Sequence, residues 1–346
     1  MNSRERFLAA CRREPVDRPP AWMMRQAGRN LPEYRELRKD TPFMQMVHNP
    51  AQSAEVTLQP IRRYGMDAAV IFCDILVPAE VLGLHVEIQE GRGPVLTPPL
   101  RSMAELDKLP NGDPTKDCAF LGDALRLVRA ELGEERAMIG FCGAPFTLAS
   151  YMIEGKSSRN FENTIQWMLG RPDEFHALQE RVVDVSIPYL QLQVDAGADA
   201  LQIFDSWGGT HDAATYREHM LPHVKRLVAA AKGMGVPVIL YVNGCSHLIE
   251  VLLEAEPDVL SIDWRVDPAE AMRRVGPNVA LQGNLNPTIL YAPPAVVERE
   301  ARRVLDAFSG HPGYIFNLGS GILPTTPMES VQALWRTVLG ELPVSS

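Results

Sequence analysis

Between Arg25 and Lys39 the chain carries Arg25, Arg29, Arg35, Arg38 and Lys39, opposed only by Glu33 and Glu36, although its formal net charge is −9. A local concentration of cations on an acidic protein points to recognition of an anion at one place rather than to broad electrostatic steering. Arginine suits carboxylates in particular, because its guanidinium stays protonated and grips them in bidentate pairs. Arg25 and Arg29 stand i,i+4, a spacing that one helical turn would aim the same way. Charge alone also allows, and favours, a solvated helix face. A second chemical feature is Asp74, set directly after the apolar run VIFC. Taken alone, an aspartate there reads first as the cap of a following helix.

These groups need a scaffold, and eight short apolar runs supply one: 20–24, 67–72, 137–141, 200–204, 237–242, 259–263, 279–283 and 314–318. Each is brief, several are rich in Val and Ile, and Gly, Pro, Asn or Asp lies close by, as buried parallel strands require. Amphipathic stretches expected as helices separate them, at 51–64, 117–132, 161–195, 213–233, 246–255, 268–274, 295–308 and 328–339. Residues 84–96 read as a hairpin excursion with Gly-Arg-Gly at its tip. The pattern predicts an α/β fold, a single-domain (β/α)8 TIM-type barrel over residues 1–346, with an open doubly wound sheet as the alternative. In such barrels the active site lies past the C-terminal ends of the strands. Those positions here are Arg25-Gln26, Asp74, Cys142 to Pro145, Asp205-Ser206, Asn243-Gly244, Trp264-Arg265, Asn284 and Gly319-Ser320-Gly321. The ring holds no histidine pair, thiol pair or GxxxxGK[ST] phosphate loop, and NLGSG (317–321) is a weak phosphate-loop candidate.

Composition narrows the function classes. The acidic balance argues against general nucleic-acid binding, and no run of about 18 apolar residues suggests a membrane span. The charged N-terminus does not read as a secretory signal, so the expected location is cytoplasmic. Five scattered cysteines with no CxxC pair read as small buried residues rather than as a disulfide framework or structural zinc site.

Two long segments, RPPAWMMRQAGRNLPEYRELR (18–38) and GFCGAPFTLASYMIEG (140–155), resemble the two signatures of the uroporphyrinogen decarboxylase family. FCDILVPAEVLGL (72–84), QGNLNP (282–287) and NLGSGILPTTP (317–327) extend the similarity over nearly the whole chain. The resemblance implies a single-domain (β/α)8 barrel, commonly a homodimer, that needs no metal or organic cofactor. It implies conversion of the acetates of uroporphyrinogen III, a tetrapyrrole substrate, to methyl groups, giving coproporphyrinogen III and carbon dioxide. By the same resemblance Arg25, Gln26 and Arg29 form a substrate-binding loop and Arg38 adds a carboxylate contact. Asp74 is the central aspartate that accepts the pyrrole N–H groups, and Tyr151 and Ser206 touch substrate carboxylates. Taken alone, Tyr151 also reads as a core aromatic and Ser206 as a turn residue. The resemblance also makes Arg25 a catalytic candidate beside Asp74; a general-acid role for it is a hypothesis, since an arginine is a poor proton donor on pKa grounds.

The chain departs from the pattern at Ser320, where most relatives have histidine, and at Asn30, where an aromatic is usual and an exposed loop is expected. Serine still hydrogen-bonds a carboxylate but does not titrate near neutrality, which predicts a flatter pH profile there. His211 and His247 read as ordinary loop or helix-start residues. One rival is a corrinoid/thiol methyltransferase of the same superfamily, which holds zinc through an H-x-C motif. The matching places here are Tyr241-Val242-Asn243 and Ser320, and Cys245 with His247 lacks an evident third ligand. The other rival is a catalytically silent tetrapyrrole-binding protein.

Overall fold

The computed structural model describes residues 1–89 and 91–340. Seven parallel strands curl into one sheet in the order β1, β4, β5, β6, β7, β8, β9. They span Ala68–Val70 (β1), Ala137–Gly143 (β4), Ala200–Asp205 (β5), Val238–Val242 (β6), Val259–Ser261 (β7), Ala280–Leu285 (β8) and Tyr314–Leu318 (β9). Almost every residue in them is buried, as expected of strands covered by helices on one face and by barrel packing on the other. The excursion is an antiparallel pair, His85–Gln89 (β2) with Gly93–Thr97 (β3). Glu90, within its expected span, and residues 341–346 lie outside the described residues.

The first expected strand, 20–24, is not one. It makes a single bridge, Ala21 to Phe316, because Pro19 and Pro20 carry no N–H to extend a ladder. It nevertheless spans the gap between the edge strands. Phe316 N–H donates to Pro20 O at 2.9 Å, Trp22 N–H to Phe316 O at 3.3 Å, and Asp67 N–H to Ala21 O at 2.9 Å. Inside the barrel, Trp22 Nε1 donates to Gln282 Oε1, and Gln282 Nε2 donates to Ser261 Oγ.

Several expected helices are divided where a proline sits near a new start. The 161–195 stretch is Glu162–Gly170 followed by Pro172–Asp195, and 213–233 is Ala213–His219 followed by Leu221–Lys232. Pro188, by contrast, stays inside a continuous helix. The helix Ser3–Cys11, which was not expected, packs on β1, β4 and β9. From it Arg6 Nη1 reaches the buried Asp67 at 2.9 Å, and Arg4 Nε reaches Asp199 at 2.8 Å. Arg18 also donates to Asp67, and so does Ala21 N–H at 2.8 Å. Both aspartates immediately precede strands, so this end of the barrel is tied by ion pairs and the opposite end is left for chemistry.

Candidate active site

The segment Ala21–Asn30 delivers the first cation. Met24 N–H donates to Asn317 Oδ1 at 2.9 Å, and Ile322 N–H donates to Met24 O at 3.0 Å. The chain is thus pinned to β9 and to the turn beyond it. Arg25 then adopts a left-handed backbone (φ 62°), as does Arg29 (φ 56°). Such residues cost about 1–3 kcal/mol each and persist where their surroundings overdetermine them. The two arginines therefore sit in successive turns, not one helical turn apart; the helix begins only at Pro32. The stem of Arg25 crosses Gly321 so closely that a Cβ there would come within 2.6 Å of Arg25 Cδ. Among the described residues no side chain or carbonyl accepts from either guanidinium.

Gln26 turns inward. Its Oε1 accepts from Met23 N–H at 2.9 Å and its Nε2 donates to Ala68 O at 3.0 Å, so both ends of the amide brace the loop. Asn30 is buried rather than on an exposed loop, and its Nδ2 faces Thr326 O and Met328 Sδ of the C-terminal tail. The cationic run splits at this point. Over Pro32–Asp40 it is the solvated face that charge alone suggests: Lys39 pairs with Glu36, Glu33 with Arg63, and Arg35 donates to Pro324 O. Arg38 lies on this helix and donates to Thr41 O at 3.0 Å.

Asp74 follows β1 in the half-buried turn before the helix Val77–Val81. Its Oδ1 accepts from Leu76 N–H at 2.9 Å, so it braces the turn without being the helix's cap residue. Burial pushes its carboxyl above the ordinary aspartate range; the Leu76 N–H and the nearby Arg25 charge draw it partly back, and Glu80 adds to the rise. Tyr151, on the helix Pro145–Glu154, feels both the Asp74 and Arg25 charges, and burial raises its phenol. Its ring packs on Trp207 at 6.0 Å. Ser206 is half-buried, and its N–H donates to Thr147 Oγ1 at 2.9 Å. Asp205 beside it is wholly engaged, taking Thr147 Oγ1 and Gly208 N–H, both at 2.8 Å.

Tyr241, near the end of β6, was missed as a site residue. Its hydroxyl donates to Gly319 O at 3.1 Å, and the Arg25 charge reaches it across the Gly319–Gly321 turn that carries Ser320. The signals for it were its place beside the last residue of a strand and its match to the first position of the rival's H-x-C motif. Arg25, Asp74, Tyr151, Tyr241 and Ser320 thus converge at the C-terminal mouth of the barrel, with Ser206 on its rim. Arg29 and Arg38 follow from the turn and helix beyond Arg25. Asn284 is not free for this purpose, since its Nδ2 donates to Asp263 O and Val266 O. Among the described residues no three metal-ligating side chains converge; His247 Nε2 is engaged with His211 O.

The family profile described as Uroporphyrinogen decarboxylase (URO-D) matches residues 2–340. The chain belongs to the uroporphyrinogen decarboxylase family. A uroporphyrinogen decarboxylase of Pelobacter propionicus is 46% identical over 333 residues, covering 96% of this chain and 97% of the relative. That of Streptomyces coelicolor is 47% identical over 95% of this chain and 92% of its own length. Among solved structures, a methyltransferase from Methanosarcina mazei superposes with a TM-score of 0.79 at 21% identity, over 96% and 97% of the two chains. That likeness carries the barrel fold alone. The family match and the barrel account together for where the uroporphyrinogen decarboxylase signatures fall: 18–38 builds the cationic turn, and 140–155 builds β4 and the helix bearing Tyr151.

Proposed function

We propose that this chain decarboxylates the acetate side chains of uroporphyrinogen III to methyl groups, giving coproporphyrinogen III, in porphyrin and heme biosynthesis. The observation that carries the reading is a half-buried carboxylate, Asp74, within the field of Arg25, a cation with no acceptor among the described residues, at the mouth of a family barrel. A tetrapyrrole bearing acetates and propionates is a dense polyanion outside and a set of N–H donors at its centre. Arg25, Arg29 and Arg38 suit the rim of such a molecule, Tyr151, Ser206 and Ser320 offer hydroxyls to its carboxylates, and Asp74 suits its centre. Gln26 contributes by bracing the loop.

In the step itself, protonation of the pyrrole α-carbon makes the ring an electron sink. The bond from the acetate methylene to its carboxylate then breaks, its electron pair flows into the ring, and carbon dioxide leaves. The exocyclic methylene takes a proton to become methyl, and the α-carbon proton is released. Ionised Asp74, fixed beforehand and shielded from water, stabilises the cationic ring without having to reorganise. None of these steps draws on a metal or organic cofactor. We further propose that the chain works as a cytoplasmic homodimer, a reading that rests on its membership of the family; among the described residues no helix is long and apolar enough to cross a membrane.

The test is anaerobic incubation of the purified, chelator-treated chain with freshly reduced uroporphyrinogen III. Oxidised products separated by carboxylate number should run from seven carboxylates down to four. Unchanged substrate would overturn the reading and, if binding persisted, leave a silent tetrapyrrole binder.

A further inference from the structure

The mouth holds another cation that the reaction as described leaves unused. Arg265 follows β7 and its side chain is about half exposed (49%), yet it is held from three directions. Its Nη1 donates to Asp263 Oδ2 at 3.0 Å and faces Asn243 Oδ1 at 3.4 Å. Its guanidinium carbon lies 4.1 Å from the centre of the Trp264 ring. Asp263 is fully buried and also takes the N–H groups of Arg265 and Gly244, so this anchor does not itself move. Among the described residues no acceptor engages Nε or Nη2 of Arg265. The result is a guanidinium locked along one edge and stacked on one face, with the edge that binds carboxylates bidentately left open.

Its position relates it to the reacting groups. The Gly319–Gly321 turn passes between Arg265's neighbours and Arg25: a Cβ on Gly319 would strike the Trp264 backbone, and one on Gly321 would strike Arg25. Tyr241, which donates to Gly319 O, feels the charges of both Asp263 and Arg25. Arg25 and Trp264, the chain neighbour of Arg265, thus abut opposite ends of one turn of the mouth, which places Arg265 on the Trp264 side of that turn.

We propose that Arg265 is a binding site for a carboxylate that the substrate keeps, one of the propionates rather than a reacting acetate. The inference rests on the decarboxylase reading, in which the acetate that departs must lie at Asp74. A fixed fork away from that point then sets how the ring is presented without taking part in bond breaking. An arginine whose sole duty was to pair with Asp263 would have no bearing on ligands.

The experiment compares wild type with Arg265→Gln, which keeps a donor towards Asp263, and Arg265→Lys, which keeps the charge but loses the fork. Two quantities are read: steady-state kinetics on the eight-carboxylate and five-carboxylate porphyrinogens, and equilibrium binding of coproporphyrinogen III, whose only carboxylates are propionates. Loss of a charge-assisted hydrogen bond predicts Arg265→Gln binding weaker by roughly 10- to 100-fold. KM should rise by a similar factor on both substrates while kcat changes little, and Arg265→Lys should fall between. Unchanged coproporphyrinogen III binding in both variants overturns the proposal, as does a KM rise confined to the eight-carboxylate substrate. Should Arg265→Gln melt early, Arg265→Lys carries the same comparison. A wild type that binds but forms no product would sink the decarboxylase reading, while the binding comparison would still judge Arg265.

Discussion

Asp74 and Arg25 are coupled, and that coupling should be visible in the pH profile. Burial holds the Asp74 carboxyl above its ordinary range and Arg25 opposes the rise. The ionised form does the work, so kcat/KM should fall as pH drops through the raised value, giving an acid limb above that of an ordinary aspartate. Arg25→Met removes the opposing charge, and its residual activity should show that limb moved to still higher pH; an unmoved limb would show that the two charges do not communicate. Asp74→Asn should lower kcat by roughly 100- to 1000-fold, the scale of losing one preorganised electrostatic group, with little change in melting temperature. Gly321 supports the same pair. Any side chain there collides with Arg25, so Gly321→Ala should displace the cation and raise KM several-fold while leaving β9 and the melting temperature nearly intact. Steady-state kinetics beside a thermal melt would separate the two effects.

At the scale of elements, the barrel is finished by a segment that is not a strand. Pro20–Met24 keeps its place because Asp67 gathers Arg6, Arg18 and the Ala21 N–H at the adjoining edge. Removing a fully buried carboxylate that satisfies two arginines costs about 3–5 kcal/mol. Asp67→Ala should therefore lose stability of that order in urea denaturation, and its surviving folded fraction should show weakened substrate binding because Arg25 hangs from the same segment. This closure was half legible in the sequence. The apolar run and its order among eight were plain, but the prolines that deny it a ladder made the run look like a strand while preventing one. The breaks at Arg171 and Met220 were hidden for a related reason: amphipathic spacing continues across them, and the prolines that follow mark new starts rather than kinks.

Over the whole molecule, the division of labour between the two barrel ends was readable before the side chains were placed. Apolar runs locate strands, and strand ends locate the ring of Arg25, Asp74, Ser206 and Ser320. What the ring does not disclose is which polar residues are already spoken for. Asp205, Asn284 and Gln26 stand at positions as promising as Asp74, yet each is engaged by a group from a distant segment, Thr147 for Asp205, Asp263 O and Val266 O for Asn284, and Ala68 O for Gln26. Tyr241 and Arg265 gain their meaning only from partners in other loops. Spacing along the chain carries no record of such long-range hydrogen bonding, whereas the 18–38 signature pointed to Arg25 and the 72–84 match to Asp74.

The seam between Ala21 and Phe316 also fixes when the site comes into being. A ribosome delivers the chain from the N-terminus, so Arg25 emerges early, yet Asn317, which docks its neighbour Met24, lies 293 residues downstream of that methionine, with Gly321 and Ile322 just beyond. Until that stretch has been made, the seam has no partner and nothing holds Arg25 in place, so the site is completed by closure of the seam rather than strand by strand.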